Sequence, residues 1–188
     1  MTVSKSLMTI TEYLNHNDGT DCVYELINGE LVEVPTESWS NQQIALFLLF
    51  HFAQIGIPRT RMSIKAEIAV AGGRATVRIP DLTIVSPQLS IEIQEENKGL
   101  ISYDMLPPQL VVEVVSPKQD KRDYRYKRSE YAARQIPEYW IVDPILNKVT
   151  VLELVEGLYE EEVYMGEQPI TSPQFGKLTI TAQEILAG

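Results

Sequence analysis

The sequence has little of what thiol, zinc and membrane chemistry rely on. Cys22 is the single cysteine in 188 residues, and His16 and His51 are the only histidines. No internal disulfide can form, and neither a thiolate nor a histidine-rich metal site can be assembled. A metal here must be held by carboxylate oxygens, which favours a hard ion such as magnesium, manganese or calcium. No stretch reaches the ~18 uninterrupted apolar residues that a membrane span needs. Residues 1–10 lack the apolar segment of a secretory leader, so the cytoplasm is the expected compartment. There is no internal repeat and no low-complexity tract. Gly72-Gly73 stands alone, without the spacing of a phosphate-binding or dinucleotide loop.

Positive charge is also scarce: the formal net charge is −10, which argues against indiscriminate nucleic-acid binding. What there is lies unevenly. Lys118, Lys121, Arg122, Arg125, Lys127, Arg128 and Arg134 fall in one short stretch with only three acids, Asp120, Asp123 and Glu130, for a local net of +4. The rest of the chain carries −14. Such a run is read either as one solvated helix face or as a phosphate-binding surface.

The length predicts a single domain over 1–188, at roughly 100–200 residues per domain. Thr9 and Glu12 spell a capping box opening a short helix from Ile10 to Asn15. Asn28-Gly29 between Cys22–Ile27 and Glu30–Val34 predicts a hairpin. Ser40 can cap a helix from Asn41 to Ile55, apolar on nearly every face and ended by Gly56. That helix is expected to be a core element with part of it in a homodimer interface. Two strands, Ser63–Ala71 and Val77–Ser86, are expected around Gly72-Gly73-Arg74, then a long connection over 87–109 without a clear period. Leu110–Val115 and Glu138–Asp143 read as strands buried on both faces, joined by a helix over Lys121–Gln135. A hairpin over Val149–Met165 and a second capping box at Thr181 and Glu184 complete the chain. The pattern predicts an α/β fold bordering on α+β, with one βαβ unit in a mixed sheet.

Carboxylates inside apolar strands carry the chemical signal, because a buried charge costs several kcal/mol unless it is paired or metal-bound. Glu25, Asp81 and Glu113 occupy such positions. Tyr124, Lys127 and Tyr131 recur at i, i+3 and i+7 and share a helix face, so Lys127 points inward with the tyrosines. Asp123, one turn before Lys127, is an alternative partner for it.

Pro80-Asp81, Glu113 in an apolar strand and a following lysine resemble the PD-(D/E)xK nuclease superfamily. Tyr24–Val32, Arg78–Asp81, Leu110–Pro117, Asp123–Tyr131 and Pro137–Pro144 more closely resemble the bacterial Uma-two family of restriction-endonuclease-like proteins. The segments stand in family order over most of the chain. The resemblance implies a restriction-endonuclease-like mixed sheet flanked by helices, with additional hairpins. It also implies magnesium- or manganese-dependent hydrolysis of DNA phosphodiester bonds. Asp81 and Glu113 would bind the ion with a backbone carbonyl near Val114, and Glu25 would support it. Lys127 would act on the water or the phosphate, and Lys121, Arg122, Arg125 and Arg128 would meet flanking phosphates.

The sequence departs from the pattern twice. The superfamily's lysine position, two residues after the acid, holds Val115, and the family is thought to move the lysine to the helix, matching Lys127. Asn41-Gln42 stands where the family often has histidine. A catalytically silent nuclease fold acting as a scaffold or DNA-binding module is the rival reading, and a small-molecule hydrolase using the same acids a third. Convergence of Asp81, Glu113 and Lys127 on one cleft is the geometric expectation. If the two acids mainly repel each other without metal, Glu113→Gln should be no less stable than wild type.

Overall fold

The computed structural model describes residues 7–70, 74–96, 99–116 and 122–188, with only the backbone for 122 and 123. The Thr9 hydroxyl accepts the Glu12 N–H and the Glu12 carboxylate accepts the Thr9 N–H, closing the capping box of α1 (Ile10–Leu14). Asn28 and Gly29, at φ 52° and 84°, then join β1 (Tyr24–Ile27) to β2 (Glu30–Glu33). Two left-handed residues in succession are what a two-residue type I′ turn needs. Ser38, not Ser40, caps α2 (Trp39–Gln54), its hydroxyl accepting the Asn41 N–H.

The two long strands expected next are each broken. Lys65, at φ 66°, interrupts the first, leaving β3 (Met62–Ser63) and β4 (Glu67–Ala69). Pro80 interrupts the second, leaving β5 (Val77–Arg78) and β6 (Leu82–Ile84). A proline has no N–H to give a ladder, so the strand ends there and the chain changes sheet. The joining residues Gly72-Gly73 lie outside the described residues. The connection over 87–109 is not structureless. Ser86 accepts the Leu89 N–H, and Pro87 opens α3 (Pro87–Glu96), followed by β7 (Leu100–Ile101).

After β8 (Leu110–Val114), a π-helical turn over Arg122–Lys127 leads into α4 (Arg128–Ala133). β9 (Glu138–Asp143), β10 (Lys148–Val155) and β11 (Leu158–Tyr164) form a meander, with Glu156 and Gly157 in a second left-handed turn. A further hairpin, β12 (Pro169–Ser172) and β13 (Gly176–Thr181), precedes α5 (Ala182–Ala187), which the second capping box opens.

The six-stranded sheet has the order β11-β10-β9-β8-β6-β3, with β8 and β9 parallel as the βαβ reading requires. A five-stranded sheet runs β2-β1-β5-β4-β7. Strand alternation divides β8 between two cores. Leu110, Val112 and Val114 join Trp140 and the α2 residues Ile44, Leu48 and Phe52 on one face. Val111 and Val115 join Tyr131, Tyr139 and Ile141 on the other. Glu113 belongs to this second face, the one that α4 covers. A smaller core of Tyr13, Leu26, Ala69, Val77 and Leu100 lies against the five-stranded sheet. In α2 the apolar content is largely absorbed by burial, but Trp39 is 76% and Phe50 62% exposed.

Candidate active site

The change of sheet at Pro80 places a carboxylate between the two sheets. The Asp81 N–H donates to the Val112 carbonyl at 3.1 Å, and its Oδ2 accepts the Val114 N–H at 2.7 Å. Both bonds fasten it beside β8, one residue on either side of Glu113. Asp81, Glu113, Lys127 and Glu25 all line one cleft, together with Glu37, Lys65, Ile79, Val114 and Ser116. Its volume is about 50 Å³. That is room for an ion and a water or two, not for a nucleotide.

Glu113 is engaged on both oxygens. Lys127 Nζ contacts Oε2 at 2.7 Å, and the Tyr131 hydroxyl donates to Oε1 at 2.6 Å. Lys127 and Tyr131 are both buried, and Tyr124 is half-buried, so the inward face read from the spacing is the inward face of the helix. Each carboxylate oxygen has two lone pairs, so neither contact closes Glu113 to a further partner. The Lys127–Glu113 pair also changes the stability expectation for Glu113→Gln, because the substitution removes a buried carboxylate from an ammonium that faces it.

Glu25, which lines the same cleft, is also engaged on both oxygens. Its Oε2 pairs with Arg78 Nη1 at 2.8 Å, and its Oε1 accepts the Ile79 N–H at 3.3 Å. Arg78 also clasps both oxygens of Glu130 at 2.7 and 2.8 Å.

Two site residues were not singled out from the sequence. Glu37 precedes the cap of α2, and Lys65 is the left-handed residue between β3 and β4. Lys65 Nζ lies 2.9 Å from Glu37 Oε2 and 3.3 Å from Asp81 Oδ1. Burial, with the Glu37 hydrogen bond and charge adding to it, pushes the Asp81 carboxyl up to about 7. Burial would also raise Glu37, but hydrogen bonds from Asp81 and Lys65 outweigh it and hold Glu37 below the usual carboxylate range. The two acids are therefore coupled, and Asp81 is the one whose charge burial opposes. The missed signal for Lys65 is a positive φ at a non-glycine residue, which no residue pattern announces.

Among the described residues of the basic stretch, Lys127, Arg128 and Arg134 are engaged by the protein and do not form a solvated face. Lys118 and Lys121 lie outside the described residues, as do the side chains of Arg122 and Asp123. Lys127 is buried against Glu113. Arg128 pairs with Glu161 and donates to the Tyr159 carbonyl at 2.7 Å. Arg134 is buried and donates to the carbonyls of Ala69, Ser102, Met105 and Leu106. Arg125 is exposed. Asn41, in the position where histidine is frequent, bonds the Val115 carbonyl at 3.4 Å and the Ser116 hydroxyl at 3.1 Å, clamping the end of β8 beside the cleft.

The family model of Uma2, described as "Putative restriction endonuclease", matches residues 10–183. The chain belongs to the Uma2 family. No curated protein matches it in sequence. A crystal structure of a "putative nuclease belonging to DUF820" from Anabaena variabilis ATCC 29413 superposes with a TM-score of 0.75. The match covers 95% of this chain and 97% of that one at 18% identity, a likeness of fold. The nuclease-like mixed-sheet architecture implied by the sequence segments is thus the observed one. The cleft of this Uma2 chain suits a particular class of ion. Its donors are hard carboxylate oxygens, and among the described residues no group of three or more histidines, cysteines or acids is arranged to cage a metal. Magnesium is commonly held by one or two carboxylates with water and substrate completing its shell, so this donor set fits it. Among the described residues no helix is long and apolar enough to cross a membrane.

Proposed function

We propose that this Uma2 protein is a divalent-metal-dependent endonuclease that hydrolyses DNA phosphodiester bonds, with Asp81, Glu113 and Lys127 as its catalytic residues. The observation that carries the reading is the meeting of two buried acids and a buried lysine, from three separate elements, in one ion-sized cleft. Bound magnesium or manganese would supply an acidified water and offset charge growing on the phosphate. Asp81 and Glu113 would hold the ion, with a backbone carbonyl near Val114. Glu25 would support the ion through water, held in place by Arg78 and the Ile79 amide. Lys127 stays on Glu113 and offers its remaining protons to the water or to a phosphate oxygen as a compact point charge. The Tyr131 hydroxyl fixes the Glu113 carboxylate. Lys121, Arg122 and Arg125 are the flanking phosphate contacts, while Arg128 would have to leave Glu161 to join them.

The cleft is too small for a nucleotide, so the scissile phosphate meets it from the open side. Phe50, a large apolar side chain exposed on α2, supports a homodimer through residues 41–55. Plasmid incubated with purified protein should be nicked only when magnesium or manganese is present, and Glu113→Gln should abolish nicking. Equal nicking by wild type and variant would remove Glu113 from the chemistry. A specific observation favours the scaffold reading as well: each site acid already faces a lysine, as in a closed structural ion network. Melting temperature separates the two, since an ion that binds only the folded state raises it by mass action. A melting temperature indifferent to either ion would leave the scaffold.

A further inference from the structure

Two lysines face the acids of the cleft, and they are held differently. Lys127 has a side chain 7% exposed and sits 2.7 Å from Glu113. Lys65 has a side chain 45% exposed, contacts Asp81 more loosely at 3.3 Å, and bridges to Glu37 at 2.9 Å. Its backbone is in the left-handed region at φ 66°, with its N–H donated to the Pro80 carbonyl at 3.3 Å. A non-glycine residue held there is strained and persists only where its surroundings dictate it. Glycine would adopt the same backbone without that strain but would bring no ammonium between the two acids.

A positive group lying between two carboxylates occupies the electrostatic place of a metal ion. We propose that Lys65 is a displaceable counter-ion of this site. It binds Asp81 and Glu37 together in the metal-free protein and yields Asp81 to a divalent cation. The released ammonium then stands at the open side of the cleft, where a substrate phosphate oxygen would arrive. Lys127, buried and closely paired, is the fixed lysine, and Lys65, nearly half in water, is the mobile one. Glu37, released from the lysine, would be a further carboxylate beside that ion. The inference rests on the metal-site reading above and adds to it an order of events.

Calorimetric titration of magnesium and of manganese, without nucleic acid, tests it on wild type, Lys65→Met and Lys65→Gly. Removing the competing cation should tighten ion binding roughly tenfold, a modest fraction of what one unit charge at this spacing is worth. At saturating ion, plasmid nicking by both variants should fall below wild type, while Lys65→Arg should keep ion affinity near that of wild type. Lys65→Gly relieves the backbone strain, so it provides a second folded test if Lys65→Met is unstable by circular dichroism. Ion affinity that is unchanged or weaker in the variants overturns the role of Lys65 and leaves the metal site standing. No heat of ion binding in any of the proteins overturns the metal site and this inference together.

Discussion

Glu113 makes opposite demands on fold and chemistry. It lies 3% exposed within β8, and its two oxygens are taken up by Lys127 and Tyr131. Glu113→Gln would keep the shape but replace the carboxylate facing a buried ammonium. Breaking a buried pair from one side typically costs about 3–5 kcal/mol. Urea unfolding of metal-free protein should show the variant less stable than wild type by that order. A variant as stable as wild type would mean that the repulsion of Asp81 and Glu113 dominates the metal-free site. Residue types and apolar context made Asp81, Glu113 and Lys127 legible in the sequence, since an acid inside an all-apolar strand stands out. The same logic could not find Glu37 or Lys65. Neither lies within a strand or helix, and what brings them to Asp81 is a left-handed backbone and a change of sheet.

Elements whose signals are local were legible, and those shaped by distant contacts were not. Asn28-Gly29 and the two capping boxes act within four residues, and all three formed as expected. Ser86-Pro87 is an equally local helix start, with a capping hydroxyl and a proline in the first turn, in a region that has no clear apolar period. The split of β5 from β6 depends on which sheet each half joins, which no window around Pro80 contains. Arg78 shows what that joint carries: it ties Glu25 on β1 to Glu130 on α4 with a side chain 2% exposed. Arg78→Met would leave two carboxylates facing an apolar stem, and about 3–5 kcal/mol of stability should be lost. Adding Glu25→Gln and Glu130→Gln should recover part of it. Chemical denaturation of the single and triple variants checks this, and a triple variant weaker than the sum of its parts would show that the ions contribute more than mutual neutralisation.

For the whole molecule, one response to pH runs through His51, beside that of Asp81 in the cleft. His51 is buried among the contacts of α2 and α5, its Nε2 has no hydrogen-bond partner among the described residues, and burial lowers its pKa despite the nearby Glu184 carboxylate. The unfolded chain titrates near ~6.5, so below that pH it binds more protons than the folded one. Stability from this group is therefore intact above ~6.5 and is lost as pH falls from there toward the folded value. Glu138 and Glu67, raised by burial, work the other way in acid, since protonation relieves their charge. A comparison isolates the histidine: the melting temperature of His51→Gln minus that of wild type should rise as pH is lowered from 7 to 5. A flat difference would mean that His51 is as readily protonated folded as unfolded.

The two tryptophans divide the molecule's optical signal between its interior and its surface. Trp140 is fully buried against Phe52, with ring centroids 5.8 Å apart, and its indole N–H is given to Glu138. Trp39 stands in water, two residues from Glu37 and the cleft. An aqueous quencher such as iodide therefore reaches one emitter and is shut out from the other while the chain is folded. Fluorescence that resists quenching follows the integrity of the core. The quenchable fraction follows what arrives at the start of α2, be it nucleic acid or a second copy of the chain. With Trp39→Phe the protein keeps a single tryptophan that reports its own unfolding, and the difference between the two spectra is a direct view of the start of α2.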